Sequence, residues 1–447
     1  MEEVKLPGEE SLDPQDWEEM QELAHQMVDD MMGHLRTVRE RPIWQKPPQD
    51  MREFLRQPVP QAGMATDQIY AEFRQNILPY QMGNIHPRFW GWVIGTGTPF
   101  GMLAEMLAAT MNSNAGGGDH VAPLMEAQII EWLKEIMGFP ASASGLLVSG
   151  GSMANLNALA VARNIMAGFD IRREGLQKID QPMVLYGSVE THSSVQKAAE
   201  LMGLGDQFYR KIPVNAAYEI EIEALKAAIA ADKTAGLHPF CIVGNAGTVN
   251  TGAFDDLNAL ADIARQEKMW LHVDGAFGAL AILAPKMKHR LKGMERADSL
   301  AFDLHKWMYM PYEIGCTLVR VEENHRHAFS LTPTYLAHSD RGMHAGATWF
   351  SDYGVQLSRG FKALKAWMSI KEHGVEKYGR LIQQNIDQAA YLAGLVEAAP
   401  ELELLAPVPL NIVCFRYVKA GLDDQALNKL NEEILIQLHE RAIAVPS

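Results

Sequence analysis

The chain has 447 residues, 47% of them hydrophobic and 21% charged, enough apolar material for a large core and for more than one domain. A formal net charge of -15 repels phosphate backbones and anionic membrane surfaces, which excludes nucleic acid and membrane as expected partners. Cys241, Cys316 and Cys414 stand far apart with no CxxC pair, so neither a disulfide framework nor a zinc site is expected, and a reducing cytoplasm is the expected compartment.

The opening MEEVKLPGEESLDPQDW is acidic and lacks the basic and apolar regions of a secretory signal, so no export is expected. No apolar run reaches the roughly 18 residues of a membrane span. Asp13 and Pro14 read as an N-cap and first-turn pair. Trp17, Met20, Ala24, Met27, Val28 and Met31 then recur at helical spacing, up to the proline-rich connector RPIWQKPPQDM. The apolar stripe of this helix must cover either the body of the chain or a second copy. Residues 1–85 read as an N-terminal helical segment, for which packing on the chain's own core and a dimerisation contact are equally open.

From about residue 100 to 380, helical stretches alternate with short apolar runs: MVLYGS (183–188), FCIVGNAG (240–247), WLHVDGAF (270–277), SLAFD (299–303) and GCTLVR (315–320). This alternation predicts an α/β domain over 86–380, a mostly parallel sheet with helices on both faces. Residues 381–447 read as helix, the strand-like LNIVCFRY and a further helix, a small C-terminal domain. Ligands of such sheets bind beyond the carboxyl ends of the strands, so the residues just after those runs carry the interest.

Four of them stand out. In LVSGGSMANLNALAVARN, two glycines and Ser152 separate an apolar run from a helix, which makes an anion cradle, although a Gly-Gly-Ser turn by itself is more often only a turn. The spacing matches neither a P-loop nor a dinucleotide fingerprint. His192, in VETHSSVQKAAE, follows the MVLYGS run, and a flat imidazole there stacks well on a heteroaromatic ring; a lone histidine is more often structural. Asp274 ends WLHVD, where a buried carboxylate needs a positive partner such as a protonated pyridine nitrogen, unless it serves as a helix cap or in a salt bridge. Lys306 follows SLAFD between His305 and Trp307. Its apolar flanks predict a partly buried amine able to attack an aldehyde, where most lysines are solvated. The thirty-two residues between Asp274 and Lys306 leave room for one helix and one strand, placing both at one sheet edge.

Taken together, these signals resemble a known family. HPRFWGW (86–92), SGGSMAN (149–155), THSSVQKA (191–198), HVDGAFG (272–278), DLHKW (303–307), LTPTYLAH (331–338) and QLSRGFKALKAW (356–367) are similar to motifs of the group II pyridoxal-phosphate decarboxylases, which include aromatic-amino-acid, tyrosine, histidine and glutamate decarboxylases. The resemblance implies a fold-type I architecture with a seven-stranded sheet, pyridoxal 5'-phosphate as cofactor and a homodimer with the active site at the subunit interface. It implies that Lys306 carries the cofactor as a Schiff base, Asp274 pairs with the pyridine nitrogen, His192 stacks on the ring and Ala276 packs on its opposite face. Gly151, Ser152 and His305 would hold the phosphate, with Thr248 close to the ring substituents and Asp303 in the same cofactor-binding set. Tyr335 would return a proton to the substrate carbon after carbon dioxide leaves, and relatives with phenylalanine there make aldehydes instead.

The chain departs from the aromatic decarboxylases at Trp92, Val93 and Ile94, where they carry an aromatic pair and a proline, and at AGGGDHVAP (115–123). These three residues are the candidate substrate pocket, and Trp92 with its neutral surroundings favours an aromatic or apolar side chain; Arg88, in a motif shared across the family, leaves acidic substrates open. The chain ends at Ala-Val-Pro-Ser447, where the family continues with further strands and a helix, so the small domain is expected to be incomplete. The expected reaction is decarboxylation of an L-amino acid to the amine. The alternatives are an acidic substrate, an aldehyde synthase or aminotransferase using the same lysine, and a non-catalytic α/β binding protein. No G-x-S-x-G elbow or H-E-x-x-H motif points to a hydrolase or a metal.

Overall fold

The computed structural model describes residues 10–331, 341–346 and 348–447, so Tyr335 lies outside the described residues. Seven strands form one sheet: β1 (Ser144–Val148), β2 (Met183–Ser188), β3 (Tyr209–Ile212), β4 (His238–Asn245), β5 (Trp270–Asp274), β6 (Ser299–Asp303) and β7 (Gly315–Val319). Their order across the sheet is β1-β7-β6-β5-β4-β2-β3. β7 runs antiparallel to both of its neighbours, β1 and β6, and every other pairing is parallel. The short link from β6 to β7 explains the reversal, because a parallel crossover needs a dozen or more residues. β1, β2, β5, β6 and β7 are buried along their whole length, as expected of a sheet covered on both faces.

β2 and β6 coincide with the expected apolar runs. β4 begins two residues earlier than its run and both β4 and β5 stop before the glycines that follow them. β3, whose sequence YRKI is half polar, gave no apolar signal. Helices Gly151–Met166, Ser193–Leu201, Ile222–Thr234 and Leu257–Glu267 make the successive crossovers from β1 to β5. The β5–β6 connection differs from the expected helix: three short 3-10 turns, Gly278–Leu283, Lys288–Leu291 and Met294–Arg296, fill it.

The chain folds as two compact units, one of Met1–Gly91 with Glu433–Ser447, the other Trp92–Glu432. In the first, the helix Trp17–Arg36 is capped by Asp16, whose carboxylate accepts from the Glu18 and Glu19 amides at 2.8 and 3.1 Å. The expected cap, Asp13, instead accepts the Ser11 hydroxyl at 2.9 Å, too early to reach the orphan amides of the first turn. Tyr70 and Arg74 both bind Asp30 of this helix, at 2.9 and 3.2 Å. The C-terminal tail forms a parallel bridge with the segment before Gly91, with Trp90 donating to the Val445 carbonyl and Val445 to that of Arg88.

In the second unit the helix Lys362–Ala398 contains a kink at Gly374, whose φ of 67° ends one helical run before the next begins. Residue 380 falls inside this helix. Of LNIVCFRY only Phe415–Tyr417 (β9) is strand, paired antiparallel with Leu402–Leu404 (β8).

Candidate active site

Five of the six strands that run in the same direction lead to a cavity of about 440 Å³ in the second unit, a volume in the range of small-molecule sites. β1 leads to the Gly150–Ser152 turn, β2 to His192, β4 to Asn245 and Thr248, β5 to Asp274 and Ala276, and β6 to Asp303, His305 and Lys306. All of these residues line the wall. The antiparallel β7 contributes through Gly315, where a Cβ would lie 2.6 Å from Asp303 Oδ1 and 2.7 Å from the Gly150 Cα.

Gly150 caps a sixteen-residue helix without a side-chain hydrogen bond, so the cap itself occupies none of the first amides, of which that of Gly151 faces the Asp303 carboxyl. A Cβ on Gly150 would come within 3.0 Å of His305 Cε1, and one on Gly151 within 3.0 Å of Asp303 Oδ2, which is why this turn is glycine. His305 is buried, and desolvation, then the Lys306 charge, push its pKa down to about 4. Its Nδ1 accepts the Ile314 amide at 3.2 Å, so the neutral ring carries its proton on Nε2.

Asp274 is 5% exposed; Oδ2 accepts from Asn155 Nδ2 at 2.9 Å and Oδ1 from the Ala276 amide at 3.1 Å. Among the described residues it forms no salt bridge, so the carboxylate is held by neutral donors alone. Lys306 is partly buried, and its Nζ lies 3.1 Å from Asp303 Oδ2. Burial pushes the Asp303 carboxyl up to about 6, against the Lys306 charge, and Oδ1 is buried with no hydrogen-bond partner. His192 caps the helix Ser193–Leu201, with Nδ1 accepting the Ser194 amide at 3.2 Å. Thr248 Oγ1 meets Thr251 Oγ1 at 3.0 Å and accepts the Ala253 amide at 3.1 Å.

Trp92 and Val93 line the cavity, Trp92 with a φ of 52° and 61% of its surface exposed. Ile94 does not. The chain at Gly95 packs on the His305 carbonyl, where a Cβ would fall 1.7 Å away, and this carries the segment past the wall. Residues the motifs did not single out also line the cavity: Asn155, Asn245, Glu190 and Glu313. Asn155 had a usable signal, since it lies four residues after Gly151 on the same helix face. Among the described residues, no group of three or more histidine, cysteine or acidic side chains could hold a metal ion. No described helix is long and apolar enough to cross a membrane.

These features fit pyridoxal phosphate: helix-end amides for a phosphate, a buried carboxylate held only by neutral donors for a ring nitrogen, and an amine on the same cavity wall for the aldehyde. The conserved domain described as "Pyridoxal-dependent decarboxylase conserved domain" matches residues 48–418. An aromatic-L-amino-acid decarboxylase of Bacillus atrophaeus is 36% identical over 437 residues, 96% of this chain and 88% of that protein. A phenylacetaldehyde synthase of Petunia hybrida is 29% identical, over 95% of this chain and 86% of its own. The crystal structure of an Oryza sativa TDC with PLP and tryptamine superposes with a TM-score of 0.89 at 26% identity, covering 97% of this chain and 91% of that one. The chain thus belongs to the pyridoxal-dependent decarboxylase family and is a pyridoxal-phosphate-dependent amino-acid carboxy-lyase.

Proposed function

We propose that the chain removes carbon dioxide from an aromatic L-amino acid and releases the amine. The observation that carries this reading is the cavity wall itself, in which Lys306 and Asp274 share the space with Glu190, Glu313 and the exposed face of Trp92. An acidic substrate side chain would meet the Glu190 carboxylate there, Glu313 being paired with Lys362 at 3.1 Å, whereas an aromatic one gains a ring surface. The 36% identical relative is named for aromatic amino acids, which supports the same choice.

Bound at this site, pyridoxal phosphate supplies an electron sink for the carbon that loses its carboxyl group. The chain's residues do the rest. Lys306 Nζ would hold the cofactor's aldehyde and the Asp274 carboxylate its ring nitrogen. The Gly151 and Ser152 amides, with the Nε2 proton of His305, would hold the phosphate, and Asp303 would keep Lys306 in place. His192 and Ala276 would pack against the ring, with Thr248 beside it. Trp92 and Val93 would seat the substrate side chain and so orient its carboxyl group. Tyr335, outside the described residues, would return a proton to the substrate carbon.

The acting unit is a homodimer. Helix Pro99–Met111 exposes Phe100, Met106, Leu107 and Met111, an apolar face that a second copy would cover. Three free, separate cysteines suit a reducing cytoplasm.

Borohydride treatment of the holoprotein followed by peptide mapping tests the site, and assay of aromatic against acidic amino acids for carbon dioxide and amine tests the reaction. A cofactor adduct on another lysine overturns the site. Release of aldehyde in place of amine favours the second reading, oxidative deamination, for which the 29% identical synthase speaks.

A further inference from the structure

Six buried side chains, at the cavity wall and behind it, are hydrogen-bonded in one line that branches at Asn155 and ends on His192. Trp270 Nε1 donates to Ser299 Oγ at 2.8 Å, and Ser299 Oγ meets His272 Nδ1 at 2.9 Å. His272 Nε2 meets Asn155 Oδ1 at 2.9 Å, and Asn155 Nδ2 donates to both Asp274 Oδ2 at 2.9 Å and Ser194 Oγ at 3.0 Å. Ser194 Oγ in turn meets His192 Nδ1 at 2.8 Å.

The chemistry of the two ends settles the direction of every link. Indole N–H only donates, so Ser299 accepts it and points its own proton at His272 Nδ1. A carboxylate accepts only, so the Asn155 amide turns its NH2 towards Asp274 and its Oδ1 must accept from His272 Nε2. Ser194 accepts the second Asn155 proton and directs its hydroxyl at His192 Nδ1, which also takes the Ser194 amide. All donors therefore point one way, from Trp270 towards the cavity. His272 is fully buried and desolvation pushes its pKa down to about 4, so it stays neutral and the line keeps its polarity across the physiological range.

We infer that Asn155 is a positioning residue that couples Asp274 to His192: one amide group fixes the rotamer of the carboxylate and, through Ser194, the tautomer of the imidazole. The geometry leaves Nδ1 of His192 as an acceptor and assigns the ring proton to Nε2. His272, Ser299 and Trp270 hold the Asn155 amide in the one orientation that serves both groups. Without His272, Oδ1 loses its donor, and the amide is held in place only through its NH2 on Asp274 and Ser194. The inference rests on Asp274 and His192 serving the cofactor as proposed above.

The test uses the full-length protein with pyridoxal phosphate as the probe. Asn155→Ala is expected to weaken cofactor binding, followed by fluorescence of the apoprotein on addition of pyridoxal phosphate, by roughly ten- to a hundred-fold, the loss of a hydrogen bond to a charged group. It should also shift the pH profile of the bound cofactor's visible absorbance. His272→Ala should do the same in part and His272→Gln, which keeps an N–H donor at that position, should restore it. Because the two act as one line, adding His272→Ala to Asn155→Ala should cost less than about twofold more. Ser194→Ala, which cuts the link to His192 and leaves Asn155 on Asp274, should shift the absorbance pH profile less than Asn155→Ala does. Circular dichroism identifies any variant that fails to fold, in which case His272→Gln against His272→Ala decides. Wild-type affinity and an unchanged pH profile in a folded Asn155→Ala, or additive losses in the double variant, would overturn the inference. Failure of wild-type protein to bind the cofactor at all would instead defeat the proposed site.

Discussion

Lys306 Nζ and Asp303 Oδ2 lie 3.1 Å apart at the end of β6, three residues apart in sequence, on the short helix Leu304–Trp307 and its N-cap. The carboxyl is 1% exposed and its pKa is raised to about 6, first by desolvation and then against the Lys306 charge, which lowers it. The ammonium is thus what makes an ionised carboxylate tolerable at this depth.

In the apoprotein, Lys306→Ala should therefore carry a stability penalty that depends on pH. A carboxyl whose folded pKa lies above its unfolded value binds more protons when folded, so folding weakens as pH rises through the gap. With the lysine present that gap ends near pH 6; without it the gap extends upwards. Urea unfolding should show Lys306→Ala destabilised by about 2–4 kcal/mol at pH 8 and little changed at pH 5. Adding Asp303→Asn should remove the difference between the two pH values. An equal penalty at both would show that packing, and not charge, is lost.

A second buried pair ties the sheet to the helical layer. Arg359 Nη2 meets Glu126 Oε1 at 2.5 Å and donates to the Leu147 carbonyl at 2.6 Å, while Nη1 donates to that of Ala115. Glu126 has no exposed surface, and its Oε2 has no partner among the described residues. Arg359→Ala should cost about 3–5 kcal/mol because it strands a carboxylate, whereas Arg359→Met with Glu126→Leu should recover most of the loss. Equal chemical stability of the single and double variants would refute this.

His325 gives the chain a histidine-linked sensitivity to acid. It is fully buried between Ser144 Oγ and Asn157 Oδ1, each at 2.9 Å, and desolvation holds its pKa at about 3. The folded state resists protonation that the unfolded chain accepts near pH 6.5, so its stability is present above that value and is lost as pH falls. By pH 5 this one group should cost about 2 kcal/mol. His325→Gln should flatten that part of the stability profile, measured by denaturant midpoints from pH 7.5 to 5. A variant with the wild-type slope would assign the acid sensitivity elsewhere.

Local pattern alone was enough for much of the architecture. β2 and β6 could be read residue for residue because continuous apolar runs bounded by polar turns encode buried strands. The lysine, aspartate, histidine and glycine turn were legible because each directly follows such a run or its motif, and a parallel sheet gathers strand ends at one edge.

What the tertiary structure decided are the relationships between residues distant in sequence. The antiparallel course of β7, the 3-10 connection in place of a helix, the Glu126–Arg359 pair and the line from Trp270 through Asn155 to Asp274 leave no periodic trace. Periodicity records which face of an element is buried. It cannot record which polar partner waits there, because hydrogen-bond direction and desolvation are set only when separate elements pack together.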